Sequence, residues 1–346
     1  MEALKNLEYN EIVFPKLNID ITVNSTAFTI FGIDIQWYGI LITCGIILAM
    51  LFAFSQMKKY GLDADKATDV IIAGIFGGII GARTYYVILE WDSYAGDIKK
   101  ILDIRSGGLA IYGGIIGSLL FALITAKIKK VKILPLLDLA GMGFLIGQCI
   151  GRWGNFFNHE AFGCNTTSVF GMSSGKIQQW IQSNSATLNK GVELSADLPV
   201  HPCFLYESVW CLLGFTVLFL VSKHRKFDGQ IFLLYFSWYC FGRFFLEGLR
   251  TDSLMLGNIR FSQMLSAIAF VTSVILSIVF TLKVKRMGSD YVLYCNTEES
   301  KKMLAEAEQK IQDEKKKKQN KAKHELKPEK DENYTSILQD DDKNND

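Results

Sequence analysis

The chain has 346 residues, of which 49% are hydrophobic, and its formal net charge is +2. This composition excludes an ordinary water-soluble domain and is typical of a membrane protein. The net charge sums an apolar body and a polar tail, so it says little about charged partners, and a nucleic-acid partner is not expected.

The first 36 residues carry no basic stretch followed by an apolar core, so we predict no cleaved signal peptide. A helix that crosses a bilayer needs about 20 mostly apolar residues. The sequence therefore predicts an all-α integral membrane protein with seven transmembrane helices. The runs that meet the requirement are 37–57, 69–90, 109–126, 133–150, 203–221, 229–246 and 261–282.

Positive charge orients this predicted bundle, because Lys and Arg concentrate in the cytoplasmic connections of membrane proteins. Three alternate connections are rich in Lys and Arg, namely 58–68, 127–132 and 222–228. We therefore expect the N-terminus outside and the C-terminus in the cytoplasm. The expected domains are an external N-terminal segment (1–36), a transmembrane body (37–282) with an external loop (151–202), and a charged cytoplasmic tail (283–346). Its charged part, from about residue 296, is expected to be disordered or loosely helical.

Polar residues within or next to the predicted helices gather at their outer ends. Charges at membrane depth are costly and normally face a polar interior or a partner. Asp138 is an exception near an inner end, where it can cap or anchor a helix. The others indicate a polar cavity open towards the outer leaflet, and they include Tyr38, Arg83, Tyr112, Arg152, Asn155, Asn158, Glu160, Glu207, Arg243, Glu247 and Arg250.

Four arginines suggest an anion site. Arg243, Glu247 and Arg250 are spaced i, i+4 and i+7, which predicts one stripe of a helix. A carboxylate can hold an arginine fork in place while other donors stay free for a phosphate. Ion pairing or contact with lipid headgroups would explain any one arginine alone. Arg83 and Arg152 add to the set, and the four together, with carboxylates beside them, favour an anion site.

Tyr38 and Tyr112 have two interpretations. Tyrosine and tryptophan are enriched at both membrane interfaces without any further role, and this belt explains the tryptophans. The two tyrosines remain open between the belt and the polar cavity. The sequence contains no soluble-enzyme motif of the GxSxG, HExxH or Walker A type.

One stretch of the sequence is specific enough to suggest a family. Residues 151–163 read GRWGNFFNHEAFG. They resemble the signature of the prolipoprotein diacylglyceryl transferase family, G-R-x-G-N-F-x-N-x-E-x-x-G, and every fixed position is present. The resemblance covers roughly residues 25–285, and the other segments that carry it are IQWYG, GARTYYV, GGLAIYGGIIG, HPCFLYES, GRFFLEGLRTDSL and RFSQ.

The resemblance implies a bacterial membrane enzyme that transfers the sn-1,2-diacylglyceryl group of phosphatidylglycerol to the lipobox cysteine of a preprolipoprotein. A thioether forms and glycerol 1-phosphate leaves, as the first step of lipoprotein maturation. The implied partners are phosphatidylglycerol, preprolipoprotein lipobox segments and membrane lipids in the bacterial cytoplasmic membrane. No metal and no cofactor are expected.

The resemblance and the residue pattern together assign the site. Arg152 and Arg243 are expected to hold the phosphate as the carbon–oxygen bond breaks, and Glu247 is expected to orient Arg243. His159 and His201 are expected to be structural. The expected headgroup-binding residues are Arg152, Tyr38, Arg83, Asn155, Asn158, Glu160, Gly163 and Arg250.

Tyr112 departs from the family pattern. Many members carry a histidine there, which has been given the role of a base. The unperturbed pKa of tyrosine is about 10, so a phenol is a poorer base at neutral pH. Tyr112 is the fourth expected catalytic residue, and it can instead donate a hydrogen bond to the phosphate. We therefore favour a cysteine thiolate that is assisted by arginine.

Three other classes of protein are alternatives to this enzyme. A transporter or channel would carry charges at the midplane, whereas here they crowd one face. A transferase that uses nucleotide-activated lipids would need acidic metal motifs inside the spans. A lipid-binding scaffold without activity is the third alternative, if Tyr112 marks a lost reaction.

Overall fold

The structure, a computed structural model, describes residues 7–104, 107–184, 194–251, 255–256 and 259–325. Seven long helices form its body, one for each predicted apolar run. They are α1 (Trp37–Met57), α2 (Ala64–Leu89), α5 (Ile111–Lys129), α6 (Ile133–Phe157), α8 (Cys203–Ser222), α9 (Gln230–Leu249) and α10 (Phe261–Met287). Shorter helices lie in the connections, namely α3 (Trp91–Tyr94), α4 (Ile98–Leu102) and α7 (Gly175–Asn184).

Six of the helices are long and apolar enough to cross a bilayer, and they begin at residues 37, 64, 111, 133, 203 and 261. α9 is not among these six, and its 20 residues include Arg243 and Glu247. The predicted end of the fourth run at residue 150 was wrong, since α6 continues to Phe157. Arg152 and Asn155 therefore lie on a helix and not in a loop.

Short strands before α1 and after α6 add to the predicted all-α fold. The strands β1 (Glu11–Phe14), β2 (Ile19–Thr22) and β5 (Ser173–Ser174) form an antiparallel sheet in the order β2-β1-β5. Two hairpins stand apart from it, formed by β3 (Thr26–Ile30) with β4 (Ile33–Gln36) and by β6 (Met255–Leu256) with β7 (Ile259–Arg260). A hydrophobic core joins the sheet and α7 to the ends of α6 and α8, and it includes Ile12, Val23, Phe156, Phe162, Met172, Ile177 and Phe204.

Glycines bring the backbones of α2 and α5 into contact. Gly77 and Gly81 face Gly113 and Gly117, so each helix contributes a GxxxG pair. A Cβ on Gly117 would collide with the carbonyl oxygen of Gly77 and lie 2.9 Å from the Cα of Gly81. Small residues allow this approach in lipid, where helix association depends on packing rather than on the hydrophobic effect.

We expect Gly117→Ala to lower the free energy of unfolding by about 1–3 kcal/mol, the usual cost of overpacking. Gly114→Ala is the matched control on the same helix, because its Cβ would meet Ala82 at an ordinary 3.5 Å. Thermal unfolding of both variants in detergent measures the difference. Equal stability of the two variants would contradict the close packing of α2 and α5.

The helix ends that carry Arg152 and Arg243 are called the site end here, and the opposite ends the lysine-rich end. Asp138 of α6 is fully buried at the lysine-rich end. Its carboxylate accepts hydrogen bonds from the N–H groups of Gly229 at 2.8 Å and of Phe232 at 2.9 Å. A carboxylate there satisfies orphan donors at the N-terminus of α9. A cap on its own helix was the wrong expectation, because the carboxylate caps α9; the two bonds anchor this end of α6 to α9.

The chain after α10 folds back onto the lysine-rich end. Tyr294 donates its N–H to the Asp228 carboxylate at 2.8 Å, and the Tyr291 hydroxyl accepts a bond from the Asp228 N–H at 3.0 Å. The guanidinium of Arg225 lies 3.8 Å from the centre of the Tyr60 ring. We call these five residues the clasp. It joins the connection before α9 to the segments that follow α1 and α10.

The chain divides into two units between Thr297 and Glu298. The second unit contains α11 (Glu298–Glu325), a charged helix of 28 residues. Lys301 and Glu298 form an exposed ion pair of 2.9 Å in its first turn. The last part of the expected tail, residues 326–346, lies outside the described residues.

Candidate functional site

Three helices join four charged side chains into a chain of ion pairs at the site end. Nε of Arg152 on α6 lies 2.7 Å from Oε2 of Glu207 on α8, as an ion pair. A terminal nitrogen of Arg243 on α9 lies 3.6 Å from the other oxygen of Glu207, and its second terminal nitrogen lies 2.6 Å from Glu247. The side chains of Glu207 and Glu247 are 7% and 2% exposed. The buried carboxylate of Glu207 therefore links the two arginines.

Residues beside the Arg152–Glu207 pair fix the contact between α6 and α8. The indole N–H of Trp153 donates to the Ser208 hydroxyl at 3.1 Å. That hydroxyl in turn donates to the carbonyl oxygen of Cys149 at 2.8 Å. Because Trp153 follows Arg152 and Ser208 follows Glu207, these bonds hold the ion pair in register.

Arg152 keeps donors free for another group. Its pair with Glu207 uses Nε, and the two terminal nitrogens have no hydrogen-bond partner among the described residues. The side chain is 24% exposed and lines a large cavity. A guanidinium with unused N–H groups at a cavity wall can bind an oxyanion in two-point geometry.

The cavity lies between α1, α2 and α6 and has a volume of about 460 Å³. Tyr38, Arg152 and Asn155 line it at the site end, and Gln148 adds a carboxamide below them. The rest of the lining is apolar or small, and it follows α1 and α6 as far as Ala53, Leu136 and Leu139. Over the 20 residues from 136 to 155, α6 rises about 30 Å. The cavity therefore has one polar end and a long apolar groove.

The signature forms a tight turn at the end of α6. The carboxylate of Glu160 accepts bonds from the side-chain amides of Asn155 at 3.0 Å and Asn158 at 3.2 Å. His159 and Ala161 both have left-handed backbone, with φ of 54° and 55°. Such strain in non-glycine residues is typical of functional turns. The turn connects Glu160 and Asn158 to Asn155, which lines the cavity.

His159 is buried and holds this turn on the sheet, as expected of a structural residue. Its Nε2 lies 3.1 Å from the carbonyl oxygen of Val23, and its Nδ1 lies 3.0 Å from the Ser174 hydroxyl. The Ser174 hydroxyl also accepts the N–H of Ile177 at 3.2 Å. Because a carbonyl oxygen can only accept, Nε2 carries a proton. Burial, followed by the positive charge of Lys176, lowers the pKa of His159 below its usual 6.5.

The lowered pKa of His159 predicts a loss of stability in acid. The unfolded chain binds the proton more readily than the folded chain does, so the contribution of neutral His159 is complete above about pH 6.5 and declines below it. Thermal unfolding between pH 5 and pH 8 measures this slope. Burial also lowers the pKa of His201, so a slope in the same direction remains in any His159 variant. His159→Gln should have the shallower slope, and an unchanged slope would contradict the assignment.

Gly163 and Arg250 bind each other through the backbone. The two residues form an antiparallel β-bridge. The N–H of Gly163 donates to the carbonyl oxygen of His201 at 2.9 Å, and the N–H of Cys164 donates to the carbonyl oxygen of Leu249 at 2.8 Å. A Cβ on Gly163 would lie 2.8 Å from the Cβ of His201. The predicted stripe Arg243–Glu247–Arg250 was wrong in its last member, because α9 ends at Leu249 and Arg250 is extended. Both residues tie the segment between α6 and α8 to the end of α9.

Arg83 lies apart from the chain of ion pairs. It is 6% exposed and donates to the carbonyl oxygens of Lys100, Ile101, Gly107 and Gly108 at 2.6–2.9 Å. These bonds favour a role in holding the connection between α2 and α5. Its predicted part in headgroup binding stays a prediction.

Tyr112 is 61% exposed in the first turn of α5. No described residue forms a hydrogen bond with its hydroxyl, and it does not line the large cavity. Its predicted catalytic role stays a prediction.

Two residues at the site had no predicted role. Glu207 was recognised as polar at an outer helix end, but sequence spacing cannot show that it faces both arginines. Gln148, which binds the Tyr235 hydroxyl at 3.1 Å, lies inside an apolar run and gave no signal. For Glu207, the available sequence signal is its position in the HPCFLYES segment.

Comparison with known proteins decides the family. The sequence model described as prolipoprotein diacylglyceryl transferase matches residues 25–279. The chain belongs to this family. A phosphatidylglycerol--prolipoprotein diacylglyceryl transferase of Clostridioides difficile is 42% identical over 268 residues, which are 78% of this chain and 100% of the relative. The enzymes of the same name from Enterococcus faecalis and Listeria monocytogenes serovar 1/2a are 40% and 41% identical over 82% and 73% of this chain, and 97% and 88% of the relatives.

The family assignment covers the helices that build the site, because the matched residues include α1 through most of α10. The chain is a multi-pass membrane protein, with six candidate spans among the residues that the structure describes. The second unit, from Glu298 onwards, lies outside the matched residues.

Proposed function

We propose that this chain transfers the sn-1,2-diacylglyceryl group of phosphatidylglycerol to the lipobox cysteine of a preprolipoprotein. The names of its relatives describe a transferase with these two substrates. The observation that carries the proposal is Arg152, whose free guanidinium nitrogens lie at the polar end of a long apolar cavity. A phospholipid has the same pattern of an anionic head on apolar chains.

The proposed topology has seven spans, with the N-terminus outside the bacterial cytoplasmic membrane and the C-terminus in the cytoplasm. α9 is the span added to the six apolar helices, since its 20 residues reach about 30 Å. Its charged residues pair with Glu207 and with each other instead of facing lipid. The Lys-rich connections then lie on the cytoplasmic side. In this arrangement residues 1–36 and 151–202 are external, and 283–346 form the cytoplasmic tail.

The proposed binding mode places the phosphate on Arg152 and an acyl chain along the groove. Tyr38 and Asn155 adjoin Arg152 and can donate to the glycerol hydroxyls or the phosphate. Glu160 and Asn158 hold the carboxamide of Asn155 in place. Gly143, Gly147 and Gly151 leave room on the α6 wall for methylene groups.

The proposed step forms a bond between the cysteine Sγ and the sn-3 carbon of the diacylglyceryl group. The bond from that carbon to the phosphate oxygen breaks, and its electron pair leaves with glycerol 1-phosphate. The thiol proton passes to this phosphate or to solvent. Positive charge at Arg152 stabilises the departing phosphate and favours the thiolate.

The proposed roles of the other charged residues depend on whether they line the large cavity. Arg243 does not line the large cavity, so we assign it the positioning of Glu207, and through Glu207 of Arg152. Glu247 fixes Arg243 within α9. Tyr112 and Arg250 keep their predicted contacts with the headgroup as hypotheses for mutagenesis.

We expect Gly147→Leu to raise the KM for phosphatidylglycerol about tenfold, because each methylene kept out of an apolar site costs about 0.8 kcal/mol. A Cβ at this position meets no atom within 4 Å, so the fold accepts the new side chain. Gly147→Ala is the matched control and should change KM little. KM values for long- and short-chain phosphatidylglycerol measure the effect. A uniform loss of kcat without a change in KM would contradict the groove.

The function is tested with purified protein, phosphatidylglycerol and a lipobox peptide. Mass spectrometry should show a gain equal to one diacylglyceryl group on the peptide cysteine and the release of glycerol 1-phosphate. A peptide with serine in place of the cysteine is the control. Binding of phosphatidylglycerol without any mass gain would support the lipid-binding scaffold and overturn the transferase proposal.

A further inference from the structure

The hairpin of β3 and β4 has one polar face and one apolar face. Thr29 and Asp34 lie opposite each other on the polar face, and their side chains form a hydrogen bond of 2.6 Å. The cross-strand pairs Phe28–Ile35 and Ile30–Ile33 share the other face. Phe28, Ile30 and Ile33 are exposed by 50%, 48% and 47%.

The turn at the tip places a large apolar side chain where polar or small residues are usual. Phe31 and Gly32 both have positive φ, of 50° and 77°, as in a two-residue turn of type I′. Asn, Asp or Gly usually occupies the first of these positions, because left-handed backbone is strained in other residues. Phe31 is also 100% exposed. An aromatic ring at this point is unfavourable in water for both reasons.

The hairpin continues directly into the membrane-spanning part of the protein. β4 ends at Gln36 and α1, a candidate span, begins at Trp37. No other strand pairs with the hairpin among the described residues, and three side chains of its apolar face are about half exposed. The chain length between Phe31 and Trp37 is six residues, which keeps the tip within about 20 Å of the start of the span.

We infer that the apolar face of this hairpin, with Phe31 at its tip, inserts into the lipid bilayer beside the site end. A single apolar side chain on the surface would need no explanation. Here four apolar residues and a strained aromatic tip lie next to the start of a span, where an interface for aromatic side chains is available. The leaflet concerned is the outer one under the topology proposed above. Insertion places the hairpin beside Tyr38, at the entrance to the polar end of the cavity.

The test uses the full chain with Phe31→p-benzoylphenylalanine, which replaces one aromatic ring by a photoreactive one. Asn18→p-benzoylphenylalanine is the matched control, because Asn18 also has positive φ, of 53°, and stands in the turn between β1 and β2. Both variants are reconstituted in vesicles of phosphatidylglycerol and phosphatidylethanolamine and irradiated. Transferase activity should stay at the level of the unmodified chain in both, since neither residue lines the cavity.

Mass spectrometry of the irradiated proteins should show several-fold more acyl-chain adduct at position 31 than at position 18. Adducts on an added lipobox peptide, or on a second copy of the chain, would instead identify a protein partner and overturn the inference. Equal lipid adducts at the two positions would overturn it as well. Because activity is measured in the same samples, failure of the insertion is distinguishable from failure of the proposed reaction.

Discussion

Arg152→Ala is expected to lower kcat for diacylglyceryl transfer by about 10²- to 10³-fold, the loss found when one preorganised donor to a developing oxyanion is removed. The guanidinium of Arg152 is held by Glu207 at 2.7 Å and still presents its terminal nitrogens to the cavity. Under the proposed binding mode, loss of this side chain leaves the phosphate of the lipid without a cation beside it. The mass-spectrometric assay measures kcat and KM separately.

Arg152→Lys separates charge from geometry. Lysine keeps the positive charge but lacks the planar fork that binds two oxygens at once. We expect its activity to lie between those of the unmodified chain and of Arg152→Ala. Arg286→Ala serves as the matched control, because Arg286 is an exposed arginine in the last turn of α10. Unchanged kcat and KM in Arg152→Ala would remove Arg152 from the reaction.

Glu207→Gln is expected to affect stability and activity together. The substitution keeps the shape of the side chain and removes the charge that Arg152 and Arg243 share. Removing one partner of a buried ion pair usually costs about 3–5 kcal/mol. Activity should fall because Arg152 loses its fixed orientation. Unfolding in detergent gives the first quantity, and kcat gives the second.

Asp69→Asn is the matched control for this experiment. Asp69 forms an ion pair of 2.6 Å with Lys129, and both side chains are more than two-fifths exposed. An exposed pair is worth about 0–1 kcal/mol, so this variant should be nearly neutral. The double variant Glu207→Gln, Arg243→Ala should lose less activity than the sum of the single losses, since both act through Arg152. Additive losses would show that Arg243 acts independently of Glu207.

The seven long helices could be predicted because each is an apolar run near the length of a bilayer span. The extension of α6 to Phe157 could not, since Arg152 and Asn155 interrupt the apolar pattern that marks a span. Those residues stay helical because their side chains face Glu207, Glu160 and the cavity instead of lipid. A count of apolar residues contains no such tertiary information.

Only part of the site could be predicted, because sequence spacing describes contacts within one helix and not contacts between helices. Spacing within one helix correctly paired Arg243 with Glu247, because residues four apart share a face. Glu207 acts between helices, and its two contacts depend on how α6, α8 and α9 pack. Arg83 shows the opposite case. Its charge suggested an anion site, but its donors are used by four backbone carbonyls of a nearby connection.

The clasp has a consequence for the order in which the protein matures during synthesis. Asp228 precedes α9, but its partners Tyr291 and Tyr294 follow α10 and leave the ribosome later. The lysine-rich end of α9 is therefore complete only after the last span has been inserted. The helix that carries Arg243 and Glu247 is therefore secured at its lysine-rich end by residues that are translated after it.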